Sequence, residues 1–384
     1  MKKKIIRTAT VALSLDVLLK GQLSFLNNYF NVIAVSGEDK HLKEVREREK
    51  VKTIEVALQR QIAPLKDIVS LFKLYNVFRK EKPILVHSIT PKAGLLTMIA
   101  AYFARVPVRI HTFTGLIFPT KTGFSRQLLI AMDKILCHFA TNVYPEGNGV
   151  KNDLLKYKIT KKPLNIIANG NVNGVDLDYF NTNNFTYQDN RKTKELINIL
   201  DTDFVFIFIG RLVADKGLNE LIDAFVNVTS QRKNVKLILV GPFEQQLNPV
   251  FPNTVNEIFT NFNIRNLGYQ EDIRPFLAIA HCLVFPSYRE GFPNVVLQAG
   301  AMGLPSIVSN INGCNEIIKH NHNGLIIPVK DKNAIFAAMN LIIENTDLYK
   351  KLKNNARENI ESKYDQKLVW NEILNEYNTL LKNV

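Results

Sequence analysis

Cysteine, tryptophan and long apolar runs are all scarce in this sequence. The three cysteines among 384 residues, Cys137, Cys282 and Cys314, are too few and too scattered for a disulfide framework or a thiolate metal site, and they fit a reducing cytoplasm. The longest mainly apolar window, AGLLTMIAAYFA from Ala93 to Ala104, falls short of the roughly twenty residues a spanning helix needs, so no transmembrane helix is expected. The chain opens MKKKIIRTATVALSLDVLLKG, with three lysines ahead of an apolar run in the manner of a secretory signal. Asp16 interrupts that run and no clear small-residue cleavage site follows, so a first buried strand is the better reading. Internal repeats and low-complexity tracts are missing as well.

Positive charge is plentiful and lopsided. Up to residue 185 there are 28 Lys and Arg against 14 Asp and Glu, and beyond it 21 against 21, so the whole excess of +14 lies in the first half. A diffuse basic surface would serve solubility; attraction to an anionic membrane face or a phosphate-bearing acceptor is the functional alternative. No nucleic-acid motif accompanies the charge, so nucleic acid is the poorer partner.

An apolar content of 46% over 384 residues suits a globular chain of two domains. The first half offers the strand candidates KKIIRTAT, FNVIAVS, KTIEVAL, ILVHSI, VRIHTFT, TNVYPEG and LNIIANG, with helical spacing over Leu65 to Lys80 and Phe124 to Ala140. NTNNFTYQDNRKTK, Asn181 to Lys194, is polar and aperiodic and reads as a linker or first surface loop. Alternation then resumes with FVFIFIG, VKLILVGP, IRNLGY, HCLVFPS, PSIVS and NGLIIPV, followed by helical stretches at Leu348 to Glu361 and Gln366 to Leu381. This predicts an α/β chain with mainly parallel sheets covered on both faces, and ligands at the C-terminal strand edges.

Two of those edges carry chemistry. HCLVFPSYREGFPNVVLQAGAMG puts Glu290 in a turn made by Gly291 and Pro293, between a strand and a helix N-terminus whose free N–H groups suit a phosphate. Upstream, FVFIFIGRLVADKGLNELIDAF repeats strand, glycine turn and helix, and adds Arg211 and Lys216. Cations flanking such a loop suit a diphosphate held while its bond to a sugar breaks, and Gly210 and Gly217 permit close backbone approach. Loop Arg and Lys residues are ordinarily solvated charges, and Glu290 also suits the helix dipole whatever else it does.

The pair GR-x4-KG and E-x7-Q, in this order and spacing, resembles the donor-binding half of retaining glycosyltransferase family four. HTFTGLIFPTKTGFSRQLL and ANGNVNGVD are similar to its bacterial capsule, O-antigen and lipid-linked glycan branch. The resemblance spans essentially the whole chain. It implies the GT-B fold, two Rossmann-like doubly wound parallel-sheet domains facing a cleft. Residues 1–180 would form the acceptor-side domain, 181–365 the nucleotide-sugar domain, and a last helix in 366–384 would cross back to the first. The implied activity is metal-independent, retaining transfer from a nucleotide-diphosphate sugar, UDP-linked by expectation, to a polyprenyl-diphosphate-linked saccharide, at the inner face of the cytoplasmic membrane. No cofactor is expected, since the nucleotide sugar is substrate. No clustered Asp-x-Asp follows a strand as in metal-using glycosyltransferases of the other major fold; Asp201 and Asp203 read as surface caps. A UDP-sugar epimerase of the same fold and a non-catalytic nucleotide-sugar-binding subunit are the alternatives.

By the same resemblance Arg211 and Lys216 bind donor phosphate, Glu290 accepts from donor-sugar hydroxyls, and the backbone of Gly291, Phe292, Pro293, Asn294 and Val295 lines the pocket. His111, at a strand end beside Thr114 and Gly115, would face the donor sugar, orienting and stabilising rather than acting as a base; a lone histidine there is otherwise usually structural. His87 reads as a packed strand histidine. Thr90 and Pro91 look like the start of a helix whose Lys92 opposes the dipole, which a phosphate-bearing acceptor would explain. Glu146 either lines the cleft or caps the next helix. The loop after the first strand departs from the Gly-rich turn of many relatives and leaves Lys20 and Gly21 as acceptor-side candidates.

Gln298 is the second departure, standing where the family more commonly has a ribose-binding Glu. Gln keeps one carbonyl acceptor but lacks the charge, so a looser ribose grip is expected. Gln298→Glu should tighten donor binding by about 1 kcal/mol, roughly fivefold, in a calorimetric titration; unchanged or weaker affinity would remove the ribose assignment.

Overall fold

The structure, a computed structural model, describes residues 2–37, 39–58, 63–244 and 248–382. The chain divides into two compact units, Met1–Gly174 with Gln366–Val384, and Val175–Asp365. In the first, β1 (Lys4–Val11) is buried at every interior position, as befits a strand covered on both faces. It is followed by α1 (Ala12–Leu18), α2 (Gln22–Asn27), β2 (Asn31–Gly37), α3 (Lys40–Glu49), β3 (Lys52–Glu55) and α4 (Pro64–Glu81). Next come β4 (Leu85–Ser88), α5 (Pro91–Phe103), β5 (Val108–Phe113), α6 (Gly123–Phe139), β6 (Asn142–Pro145) and α7 (Asn148–Lys156). The sheet runs β3-β2-β1-β4-β5-β6, with every pairing parallel.

Helices cover both faces of this sheet. Leu74 and Phe78 of α4, Met98 and Ala101 of α5 and Leu136 of α6 fill one core. Leu15, Leu23 and Val45 of α1, α2 and α3 fill the other, together with Val369 and Tyr377 of the final helix. That second core holds a buried polar chain. Arg7 on β1 donates to Gln22 Oε1 (2.7 Å) and to the Tyr377 hydroxyl (3.0 Å). Tyr377 meets His87 Nδ1 (2.6 Å), and His87 Nε2 meets Thr112 Oγ1 (2.8 Å). Gln22 continues to the Val172 carbonyl (2.8 Å), and Trp370 Nε1 donates to Asn173 Oδ1 (2.7 Å). Gly21 has φ 79°, and a Cβ there would sit 2.6 Å from the Trp370 ring, so that turn accepts only glycine.

The second unit contains α8 (Tyr187–Leu196), β7 (Phe204–Ile209), α9 (Leu218–Gln231), β8 (Val235–Val240), α10 (Pro252–Thr260), β9 (Ile264–Asn266) and α11 (Arg274–Ile279). It continues with β10 (Cys282–Phe285), α12 (Asn294–Ala301), β11 (Ser306–Ser309), α13 (Cys314–Ile317), β12 (Gly324–Ile327), α14 (Lys332–Glu344) and α15 (Thr346–Tyr364). The final helix of the chain, α16 (Gln366–Leu381), belongs to the first unit. The second sheet is again parallel, ordered β12-β11-β10-β7-β8-β9. Its strand order reverses between β7 and β10, the point where doubly wound sheets open a crevice.

Several sequence expectations need correction. LNIIANG forms no strand; it pairs only through an isolated Val143–Leu164 bridge, and Ala168 (φ 52°) and Gly170 (φ 95°) turn the chain. The division falls after Gly174, not at 180. Val175 N donates to the Tyr364 carbonyl (2.8 Å), and Phe180 is buried in the second core. The polar Asn181 to Lys194 stretch is no linker. Its latter part is α8, started by a capping box in which Thr186 accepts from Asp189 N (3.2 Å) while Asp189 accepts from Thr186 N (3.0 Å). Asp203 is buried and accepts from Leu200 N (2.8 Å), tightening a turn instead of capping a surface.

Tyr377→Phe deletes the hydroxyl shared by buried Arg7 and His87. It should destabilise the protein by about 2 kcal/mol in urea denaturation, since a charged donor in the core loses one of its two acceptors and His87 loses a partner; a loss below about 0.5 kcal/mol would show that the polar chain contributes little.

Candidate functional site

Lys216 and Glu290 reach the same point from neighbouring strands. β7 ends in Gly210 and Arg211, passes through a short 3-10 turn, Ala214–Lys216, and enters α9 through Gly217. β10 ends ahead of Ser287 to Gly291 and enters α12 at Pro293. The two strands pair in parallel, so both loops leave the same sheet edge. Gly217 (φ 72°) packs so tightly on the second loop that a Cβ would lie 2.1 Å from the Pro286 carbonyl oxygen. Tyr288 fastens the loops further, its N–H donating to the Asp215 carbonyl (2.9 Å) and its hydroxyl to Glu220 Oε1 (2.6 Å). Arg289 pairs with Asp215 (3.3 Å).

The result is a direct ion pair between Lys216 Nζ and Glu290 Oε1, each side chain 16% exposed. Ser287 Oγ donates to the same Glu290 oxygen (2.7 Å), and the Phe285 ring lies 5.5 Å from the ammonium. A pair this sheltered resists separation more than exposed pairs do, and a ligand that divides it must satisfy both charges. Behind it lies Cys314, whose thiol is pushed well up by burial, with the Glu290 carboxylate adding to the effect. Arg211 does not join the pair. It is 43% exposed and bonds Glu244 (2.6 Å). Phe292 turns its ring into the core against Tyr364 (5.5 Å), so only its backbone remains for a ligand. Gly291, Asn294, Val295 and Gln298 are half-buried around the α12 N-terminus. Ser287 and Glu244 escaped the sequence reading. Ser287 sits three residues before the acid, a spacing that gives a signal only after the turn is known, and Glu244 gives none.

The remaining candidates lie in the first unit. His111 is 1% exposed, bonded through Nδ1 to Ser88 Oγ (2.8 Å) and set edge-on to Phe113 (4.5 Å). Burial pushes it down to about 3, so the ring is neutral. The residue belongs to the body of β5 and not to its end, so its side chain lies in the interior of the first unit. Thr114, at that end, donates to the Ile89 carbonyl (2.8 Å), and Gly115 adjoins it with φ 122°. Lys92 pairs with Asp67 (2.6 Å), which explains its place on α5 without any acceptor. Thr90 precedes α5, but its hydroxyl oxygen accepts from Thr10 N (2.8 Å) and meets Thr10 Oγ1 (2.8 Å) instead of capping the helix. Glu146 is buried and lines a cavity of about 20 Å³, room for a single water, with Arg7, His87, Thr112 and Asn171. It immediately precedes Gly147, the N-cap of α7. Lys20 is exposed, and Gly21 is occupied with Trp370.

Two doubly wound parallel sheets in one chain, one with a cation and an acid meeting at its switch point, define the GT-B class of glycosyltransferases by fold. Residues 189–359 match the family model for Glycosyl transferases group 1, and residues 11–146 match Glycosyl transferase 4-like. The capsular polysaccharide biosynthesis glycosyltransferase CapM of Staphylococcus aureus is 32% identical over 382 residues, covering 99% of this chain and 98% of that protein. An Escherichia coli UDP-Gal:alpha-D-GlcNAc-diphosphoundecaprenol alpha-1,3-galactosyltransferase is 29% identical over 292 residues, 76% of this chain and 73% of its own. The crystal structure of Anabaena HepE with UDP and glucose superposes with a TM-score of 0.82 at 18% identity, covering 98% and 100% of the two chains. The chain belongs to the group 1, family-four-like glycosyltransferases.

Neutral, buried histidines make stability depend on pH. His111 (about 3) and His281 (about 4) both lie below the usual value of 6.5 because burial disfavours their charged forms. Their contribution is complete above about pH 6.5 and is lost as pH falls toward their folded values, by roughly 1.4 kcal/mol per pH unit for each. Urea midpoints should therefore fall between about pH 7 and pH 5, and His111→Phe should flatten that slope by one histidine's share; an unaltered slope would mean that His111 titrates normally.

Proposed function

We propose that this protein is a retaining, metal-independent glycosyltransferase. It moves a sugar from a UDP-linked donor to a hydroxyl of a polyprenyl-diphosphate-linked saccharide, on the cytoplasmic face of the membrane, in the assembly of a bacterial surface polysaccharide. The observation that carries the reading is the Lys216–Glu290 pair at the β7/β10 switch point. A donor supplies what each partner needs, diphosphate oxygens for Lys216 and sugar hydroxyls for Glu290, so the two charges are divided without either being stranded. Arg211 swings from Glu244 to the distal phosphate, the backbone of 291–295 lines the sugar pocket with Glu290, and Gln298 binds the ribose. Further support comes from the capsular and diphosphoundecaprenol-linked activities in the relatives' names, and from the UDP held by the HepE neighbour.

In the transfer the bond from the anomeric carbon to the diphosphate oxygen breaks while the acceptor oxygen bonds to the same carbon on the same face. The departing phosphate oxygen takes the acceptor proton. Charge gathers on that oxygen, and Lys216 with Arg211 meets it there. The cations supply the electrostatic work that a divalent metal does elsewhere. His111 acts as a positioning residue; its neutral ring ties β4 to β5 below Thr114 and Gly115. Thr114, Gly115, Lys20 and Glu146 belong to the acceptor-side unit in this reading, and Lys92 only if Asp67 releases it.

Incubation with UDP-sugars and an undecaprenyl-diphosphate-saccharide should yield an extended lipid, whereas an isomerised donor would mark an epimerase, and binding without product a non-catalytic subunit. Lys216→Ala should lower turnover on the order of 10²- to 10³-fold. Glu290→Gln should bind UDP at least as tightly as the parent, because Lys216 is freed, yet lose transfer to a similar extent. Turnover within a few-fold of the parent for both variants would sink the assignment.

A further inference from the structure

Lys216 Nζ and Ser287 Oγ bond the same oxygen of Glu290, Oε1, while Oε2 has no hydrogen bond among the described residues. The two donors are held differently. Lys216 stands on a flexible four-carbon stem that a phosphate can draw away. Ser287 is fully buried two residues beyond β10, and its backbone is fixed on both sides by contacts that involve neither charge. Gly217 packs against the Pro286 carbonyl before it, and after it Tyr288 N donates to the Asp215 carbonyl (2.9 Å). The hydroxyl has two other acceptors within reach, the carbonyls of Arg289 (3.2 Å) and Asp215 (3.4 Å), yet its bond to Glu290 is the shortest at 2.7 Å. A carboxylate is the stronger acceptor, and one sheltered from water is costly to leave unbonded.

We propose that Ser287 is a positioning residue for Glu290: it keeps Oε1 bonded once a diphosphate has taken Lys216, and so leaves Oε2 as the oxygen presented to the donor sugar. The inference rests on the donor reading of the proposed function and names the residue that eases the parting of the ion pair. With the lysine drawn off, the serine is the side-chain donor that remains on the carboxylate. Without it Glu290 would have neither a counter-charge nor a hydrogen bond from its own loop, and its carboxylate would turn freely about the side-chain stem. Both consequences pass through the charge of Glu290. The influence of Ser287 on donor binding therefore vanishes where position 290 carries no charge.

Calorimetric titration of the full chain with UDP, and with UDP-glucose, UDP-galactose and their N-acetylhexosamine counterparts, tests this. Ser287→Ala should weaken binding of the best UDP-sugar roughly tenfold and of UDP by less, since only the sugar uses Oε2. Ser287→Cys, close in size but a weak donor, should show the same loss, which keeps the test open should alanine unsettle the loop. In a Glu290→Gln background either substitution should change UDP-sugar affinity by no more than about twofold, because the two residues act as one unit. An equal loss in both backgrounds would make Ser287 a structural part of the turn and nothing more. Unchanged affinity in the parent background would show that Glu290 needs no second donor, and either result overturns the proposal while leaving the donor reading in place. A parent that binds UDP-sugars no better than UDP refutes the donor reading itself, and the role of Ser287 falls with it.

Discussion

The second unit is arranged so that a lysine and a glutamate far apart in the chain become ion-pair partners at one sheet edge. This follows from strand order. β7 opens the sheet, β8 and β9 extend it one way, and the chain returns to lay β10 on the free side of β7. Parallel pairing then forces both strands to release their loops at the same edge, where helix N-termini also gather. Glycine at 217 lets those loops touch, and Tyr288 holds them. The ion pair is thus a consequence of topology, fixed by backbone contacts before any ligand enters.

Neutrality distinguishes this site from a plain basic pocket. Lys216 is matched by Glu290 and Arg211 by Glu244. A phosphate alone gains the lysine only by stranding the glutamate, whereas a phosphate carrying a sugar satisfies both. Under the proposed function, selectivity for an intact sugar donor over free nucleotide would follow from this resting charge arrangement.

The first unit spends its polar residues differently. Arg7, Gln22, His87, Thr112 and Tyr377 form a continuous buried chain that fixes α16 against the sheet. Burial keeps His87 neutral, its value held well below the ordinary one, with the nearby Arg7 charge as a second cause. Exposed cations lie outside that core, on surfaces such as α4.

The alternation of strands and helices, the helix starts near Pro64, Pro91 and Gln366 and the two phosphate-suited turns were legible in the sequence, because period and turn chemistry are local properties. Family membership was legible too, since the spacing of Arg211, Lys216, Glu290 and Gln298 is a linear pattern. Other features were decided only by folding. That Lys216 bonds Glu290 while Arg211 turns to Glu244, that His111 lies inside β5, that Lys92 answers Asp67, and that a polar stretch after Asn181 becomes a capped helix all depend on residues brought near by the sheet. Sequence fixes which side chains can carry charge or tolerate burial; strand order fixes which of them meet, because a contact between distant residues has no signature along the chain.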